Sequence, residues 1–321
     1  MKKIYDVFVV GAGPIGLCCG IEAVKHNLSH VIIEKGCLVN SLFHYPTNMT
    51  FFSTSERLEI GEVPFVSHGD KPTRREALEY YRRVKSSWKL NVITFEEVQE
   101  VKKEGNNFTV ETSKDKYSAQ FVIVSTGYYD NPNYLNIPGE NLAKVKHYFD
   151  EPHPYAFQKV LIIGGGNSAV DVALESYRKG AEVTIVVREE KLKDGVKYWV
   201  RPDIENRINE GTIKAYFLSE VTRIEHDFVE IRTPDGIITI PNDFVFALTG
   251  YHSNFDFLQK LKINLSEDEL KIPQFNPDTY ETNIKDLFLA GVVCCGMNTS
   301  KWFIENSREH AEKIFGTISK K

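Results

Sequence analysis

The chain has 321 residues, enough for two domains with cores of their own, and 42% of them are apolar. With 39 Lys and Arg against 44 Asp and Glu the net charge is −5, so no basic excess points to nucleic acid. No apolar run approaches the roughly 18 residues of a membrane span. The five cysteines include two adjacent pairs, Cys18-Cys19 and Cys294-Cys295, and offer no disulfide framework. A reducing, cytoplasmic location is expected.

Met1-Lys2-Lys3 before an apolar run imitates a signal peptide. Asp6 interrupts that run, and the run leads straight into a glycine-rich turn, so residues 5–10 are expected to be a first strand. The turn is Gly11-Ala12-Gly13-Pro14-Ile15-Gly16, and a helical pattern over 17–26 follows it. About 150 residues later the arrangement repeats: an apolar run at 160–163, then Gly164-Gly165-Gly166-Asn167-Ser168-Ala169, then a helix over 170–178. The first glycine allows the tight turn, the second lets a pyrophosphate reach the backbone, and the third position packs helix on strand. Helix N-termini then offer N–H groups to phosphate. Two such strand-turn-helix matches suggest a flavoprotein fed by a nicotinamide.

In chain order, residues 30–34 read as a second parallel strand ending in Glu34. That carboxylate lies 18 residues beyond Gly16, where the adenosine ribose hydroxyls are received. Residues 36–69 form a long irregular stretch rich in aromatics, and 73–85 a helix capped by Thr73 with Glu76 three residues on. Period-two alternation at 94–101, 108–112, 116–117 and 120–124 predicts a small meander returning to the parallel sheet and ending in Ser125-Thr126-Gly127. Asp130-Asn131-Pro132 and Ile137-Pro138-Gly139 read as linker chemistry.

In the second half, the strand over 182–187 ends in Arg188, where a guanidinium suits the 2′-phosphate of NADPH better than the ribose of NADH. Lys191 and Lys197 extend that basic edge. A short helix over 204–208 and a meander over 213–245 follow, with Pro234-Asp235-Gly236 as its turn. A buried strand ending in Gly291 and a closing helix over 301–315 return the chain to its first half. The expected organisation is therefore α/β with two Rossmann-like dinucleotide-binding domains. The FAD domain, residues 1–130 and 250–321, is split around an NADPH domain at 155–248, with a linker at 131–154.

This order resembles the thioredoxin reductase-like flavoproteins over nearly the whole chain. Residues 40–47 (NSLFHYPT), 50–61 (TFFSTSERLEIG) and 302–306 (WFIEN), with Gly166 to Val170, resemble its YpdA-type branch, the bacillithiol disulfide reductases. The resemblance implies FAD, NADPH, a small disulfide substrate and a homo-oligomer. It implies FAD contacts from Gly11, Gly13, Pro14, Gly16, Glu34, Lys35, Ser41, Tyr45, Val98, Thr126, Gly127 and Gly291. For NADPH it implies Gly164, Gly166, Asn167, Ser168, Ala169, Arg188 and Lys197. No metal site is expected.

Three departures bear on the chemistry. The chain has no Cys-x-x-Cys, Val292 stands where the superfamily has an aspartate, and Ile15 stands where relatives in the branch carry a cysteine. Electrons are then expected to leave the flavin directly, or through Cys294 and Cys295 as alternative candidates. A flavin monooxygenase would need a Phe-x-Gly-x-x-x-His stretch, which His147 and His153 do not complete. Electron transfer to a ferredoxin or flavodoxin, and a redox-sensing flavoprotein without turnover, are the other readings.

Overall fold

The computed structural model describes residues 3–321; Met1 and Lys2, part of the signal-like start, lie outside them. The chain divides into two compact units. The first comprises the chain up to His44, Asn48–Asn131 and Tyr251–Lys321; the second comprises Tyr45–Thr47 and Pro132–Gly250.

The first unit opens with β1 (Lys3–Val10), whose Val7 to Val10 are buried as a strand covered on both faces must be. Then come α1 (Pro14–Lys25) and β2 (His30–Ile33). The aromatic-rich stretch holds two single-turn helices, α2 (Asn40–Phe43) and α3 (Ser55–Leu58). Helix α4 (Arg74–Ser87) begins where the capping pattern predicts. The Glu76 carboxylate accepts the Thr73 N–H at 2.8 Å, and the Thr73 hydroxyl accepts the Glu76 N–H. β3 (Val92–Ile93), β4 (Val98–Glu104), β5 (Asn107–Thr112) and β6 (Lys116–Val124) complete this part.

The alternation pattern splits β6 in two, yet it is one strand. Its first half pairs antiparallel with β5, while β1 lies parallel along most of its length.

In the second unit the order is β7 (Val145–Lys146), β8 (Lys159–Ile163), α5 (Asn167–Arg178), β9 (Glu182–Val186), α6 (Arg201–Asn209), β10 (Lys214–Tyr216), β11 (Glu220–Ile224), β12 (Phe228–Thr233), β13 (Gly236–Pro241) and β14 (Phe244–Ala247). A parallel sheet runs β10-β9-β8-β14-β7, and β11-β12-β13 form a separate antiparallel sheet. Two expectations change. The 213–245 stretch is a meander only in its middle, since β10 and β14 join the parallel sheet. The stretch expected as a linker supplies the edge strand β7, which pairs with β14.

The chain then rejoins the first unit through α7 (Phe255–Lys260), β15 (Leu287–Leu289), α8 (Ile304–Ser307) and α9 (Glu309–Ile318). The first unit's sheet runs β3-β2-β1-β6-β5-β4, with β15 beside the second half of β6. The single closing helix expected over 301–315 is two pieces. The Asn306 side chain accepts the Phe303 N–H at 2.6 Å and donates to the Lys301 carbonyl at 3.0 Å, so residues 301–303 stay outside the helix, which starts at Ile304. The α/β class with two Rossmann-like units stands. Replacing Thr73 with Ala should cost about 1 kcal/mol of stability, measured as a lower urea midpoint, with Thr73→Ser close to wild type.

Candidate dinucleotide sites

Parallel pairing brings several strand ends to one edge of the first unit's sheet. Val10 lies opposite Ile33 and Val124, and Leu289 is also opposite Val124. Gly11, Glu34, Ser125 and Ala290 therefore leave the sheet together. Gly11 has φ +100°, and a Cβ there would stand 2.8 Å from the Ser125 carbonyl oxygen, so only glycine fits. A Cβ on Gly16 would lie 1.9 Å from the Gly11 carbonyl oxygen, so the first turn of α1 is pressed onto the loop.

Gly13 differs from both. Its φ of −69° is open to any residue, and beyond its two chain neighbours no protein atom lies within 4 Å of where its Cβ would be. Protein packing does not require glycine there; a group approaching from outside would. Pro14 opens α1, where its missing N–H leaves no helical bond unmade. No side chain caps this helix, which leaves its first N–H groups to a ligand.

Glu34 is buried and ties the strand end to the turn. One carboxylate oxygen accepts the Ala12 N–H at 2.8 Å and the other accepts the Gly36 N–H at 3.0 Å. Burial pushes its carboxyl above the usual range, against the pull of those two N–H groups. Each oxygen keeps lone-pair capacity for a ribose hydroxyl. Lys35 pairs with Asp130 at 2.9 Å. The Val39 N–H donates to the Ala12 carbonyl at 3.1 Å, which folds α2, with Ser41, back toward the turn. Residues 95 and 96 reach the same place, through N–H bonds to the Gly36 and Glu34 carbonyls, and Val98 opens β4 just beyond. Thr126 and Gly127 follow β6; Gly127 has φ +71° and open space at its missing Cβ. Tyr45 falls in the three-residue segment grouped with the second unit.

Two residues that the sequence reading missed hold this edge in place. The Ser125 hydroxyl lies 3.0 Å from the Val10 carbonyl oxygen and 3.1 Å from that of Gly11, a long-range contact no local pattern announces. His310, on α9, accepts the Gly291 N–H through Nδ1 at 3.1 Å. Its ring is stacked on Tyr280 at 4.1 Å and meets Trp302 edge-on at 4.5 Å, and burial holds its pKa down at about 4. The only advance signal for it is the helical spacing of His310 with Ala311, Ile314 and Phe315. Gly291 itself has φ +85°, and the space of its missing Cβ faces Ile15 at 3.2 Å.

Cys294 and Cys295 lie in a buried 3-10 turn, Gly291–Cys295. Burial raises the Cys294 thiol well above its ordinary pKa and that of Cys295 to about 11. The thiolate a nucleophile needs is disfavoured at neutral pH. Cys18 is pushed up to about 12 in the same way, and Cys37 is half-buried.

The second unit repeats the plan. Ile163 lies opposite Val186 and Ala247, so Gly164, Val187 and Leu248 leave the sheet together. Gly164 has φ +135°, and its Cβ would stand 2.5 Å from the Leu248 carbonyl oxygen. Ala169 is buried at the third position, and Ser168 is exposed on α5. At Gly166 the nearest atom to an added Cβ is Lys193 Cδ, at 3.9 Å. The Asn167 side chain donates to the Gly195 carbonyl at 2.9 Å and accepts the Lys197 N–H at 2.8 Å, so it anchors the loop after β9. Lys197 Nζ pairs with Asp171 at 2.6 Å. Arg188 is exposed just past β9 and forms no ion pair or hydrogen bond among the described residues.

Open cradles at Gly13, Gly127 and Gly166, uncapped helix starts and a buried ribose-type carboxylate fit two dinucleotides, and they define a two-nucleotide flavoprotein reductase. The chain belongs to the pyridine nucleotide-disulphide oxidoreductase family, whose profile matches residues 8–291. It is 44% identical over 315 residues to the bacilliredoxin reductase Bdr of Bacillus subtilis (strain 168), covering 98% of this chain and 97% of that one. The solved bacillithiol disulfide reductase Bdr (YpdA) of Bacillus cereus superposes with a TM-score of 0.97 at 43% identity, covering 99% of both chains. Its Staphylococcus aureus counterpart gives 0.96 at 42%, covering 99% of this chain and 98% of that one. Proteins named for the alternative activities are more distant, a ferredoxin–NADP reductase at 24% identity and a flavin monooxygenase at 22%. The protein is a flavin-dependent oxidoreductase that uses FAD and NADPH.

The His310 contact makes stability pH-dependent. The folded state holds the ring neutral down to about pH 4, whereas the unfolded chain protonates it near 6.5. Its contribution is complete above pH 6.5 and is lost as pH falls toward 4, a change of about 3 kcal/mol. His310→Phe keeps the stacking and removes the titration. Urea unfolding at pH 7 and pH 4.5 should therefore show a smaller acid loss in the variant than in wild type.

Proposed function

We propose that the enzyme spends the electrons of NADPH on a small disulfide of the bacillithiol disulfide type. The balance is NADPH, a proton and one disulfide giving NADP⁺ and two thiols. The observation that carries this reading is the full-length likeness to reductases named for that substrate. The buried cysteines support a particular version of it, in which sulfur exchange is not relayed through a protein dithiol.

FAD would be held by the first unit. Gly11, Gly13 and Pro14 give its pyrophosphate room and free N–H groups, and Glu34 receives the ribose. Thr126, Gly127 and Gly291 bring backbone close, with Lys35, Ser41 and Val98 around the adenosine. When bound, FAD supplies the two-electron carrier that links nicotinamide to disulfide. Ile15 covers Gly291, so an apolar side chain rather than a thiol borders that turn. The second unit would hold NADPH at Gly164, Gly166, Ser168 and Ala169, with Arg188 on the 2′-phosphate. The proposal includes a homo-oligomer and a cytoplasmic location; the latter is supported by cysteines left unbridged and by the absence, among the described residues, of any helix long and apolar enough to cross a membrane.

The test is anaerobic NADPH oxidation with bacillithiol disulfide, glutathione disulfide and a ferredoxin, and aerobic oxidation without added acceptor. The account expects bacillithiol disulfide to support the fastest turnover, unchanged in the Cys294→Ala/Cys295→Ala double variant. Turnover driven best by ferredoxin or oxygen contradicts the substrate. A double variant that still reduces its flavin but no longer the disulfide contradicts direct transfer and makes that pair the exchange site.

A further inference from the structure

Three lysines lie along the loop that follows β9, and their surroundings separate them. Lys191 pairs with Asp194 at 2.7 Å, on the exposed side of the loop. Lys197, the lysine the sequence reading favours for the nucleotide, has its charge matched by Asp171 at 2.6 Å. Lys193 stands apart. Its backbone N–H donates to the Gly165 carbonyl at 2.9 Å, and its own carbonyl is held by the Arg201 guanidinium. Its ammonium meets no carboxylate among the described residues. Its Cδ lies 3.9 Å from the position of a Gly166 Cβ, so the end of the side chain hangs at the mouth of the turn.

The loop is pinned as well as close. Asn167, the first residue of α5, binds both Gly195 and Lys197 through its side chain, so the segment just after Lys193 is tied to the helix start, while Lys193 itself is tied to Gly165. Among the described residues the first unit shows no such cation at its own turn: beyond the chain neighbours, no atom lies within 4 Å of the Gly13 Cβ position, and Lys35 is paired with Asp130.

We infer that Lys193 is the cation that binds the NADPH pyrophosphate, and that Lys197 is a structural partner of Asp171. This rests on the reading of the second unit as the NADPH site. The second glycine of such a turn is where the backbone meets the pyrophosphate, whereas the end of the second strand is where the adenosine ribose is read. Lys193 therefore acts on a group that NADPH and NADH share, and Arg188 on the one that distinguishes them. The two residues divide affinity from selectivity.

The test measures NADP⁺ and NAD⁺ binding to the FAD-loaded protein by calorimetry, for wild type, Lys193→Ala, Lys193→Arg and Arg188→Ala, at low and high salt. Lys193 is exposed, so its variants should keep the wild-type flavin content and unfolding midpoint. Lys193→Ala should weaken both nucleotides alike, by roughly tenfold, as loss of a charge-assisted contact does. Lys193→Arg should restore most of that affinity, and the gap between wild type and the alanine variant should narrow in high salt. Arg188→Ala should weaken NADP⁺ by ten- to a hundredfold and leave NAD⁺ near wild type. Wild-type affinity in Lys193→Ala overturns the inference while leaving the NADPH site intact. A yellow wild-type protein that binds neither nucleotide overturns both.

Discussion

A Cβ at Gly16 would stand 1.9 Å from the Gly11 carbonyl oxygen, and the first unit is arranged around that missing carbon. Without it, α1 starts against the end of β1, and its free N–H groups face the edge where Glu34, Thr126 and Gly291 also emerge. The same constraint recurs at Gly164, pressed against the Leu248 carbonyl. In both units the close approach is between backbone and backbone, which cannot yield as a side chain can. Everything proposed about cofactors depends on these two turns staying tight.

Around each turn the polar groups are arranged to keep the edge stiff. Glu34 uses both oxygens to join β2 to the first glycine loop, Ser125 binds the carbonyls of Val10 and Gly11, and His310 holds the Gly291 amide. A buried carboxylate and a buried neutral imidazole are costly to leave unpartnered; Glu34 has donors on both oxygens, whereas His310 is paired through Nδ1 alone and its Nε2 meets no partner among the described residues. This stiffness bears on the chemistry. The two cysteines nearest Gly291 lie in the buried turn itself, where desolvation opposes the thiolate, which supports the proposed transfer from the flavin without a protein dithiol.

The glycine turns and Glu34 were legible in the sequence because each expresses a backbone requirement over a few consecutive residues. The strand-helix context did the rest. Ser125 and His310 were not legible, since their contacts span 115 and 19 residues and carry no local period. The parallel pairing of β10 and β14 was missed for a similar reason. Alternation shows a half-buried strand but not its neighbour, so 213–245 looked like one meander. The sequence reading extends the basic edge of Arg188 to Lys191 and Lys197 and passes over Lys193. What separates Lys197 from Lys193 is a carboxylate on α5, four residues into the helix, that the loop happens to meet. The end of the chain misled because Trp302 to Asn306 reads as continuous helix until Asn306 turns its side chain back on Phe303 and Lys301.

The central claim is that Gly13, unlike Gly11 and Gly16, is glycine for a pyrophosphate and not for protein packing, and its substitution tests the claim most directly. Its backbone is in an ordinary conformation and its Cβ space is empty, so Gly13→Val should cost no more than about 1 kcal/mol of stability, the usual penalty at a helix N-cap. The measurement is the flavin absorbance of the purified variant beside its unfolding midpoint. The account predicts a folded, colourless protein. A folded variant that stays as yellow as wild type, or one that fails to fold, would contradict it.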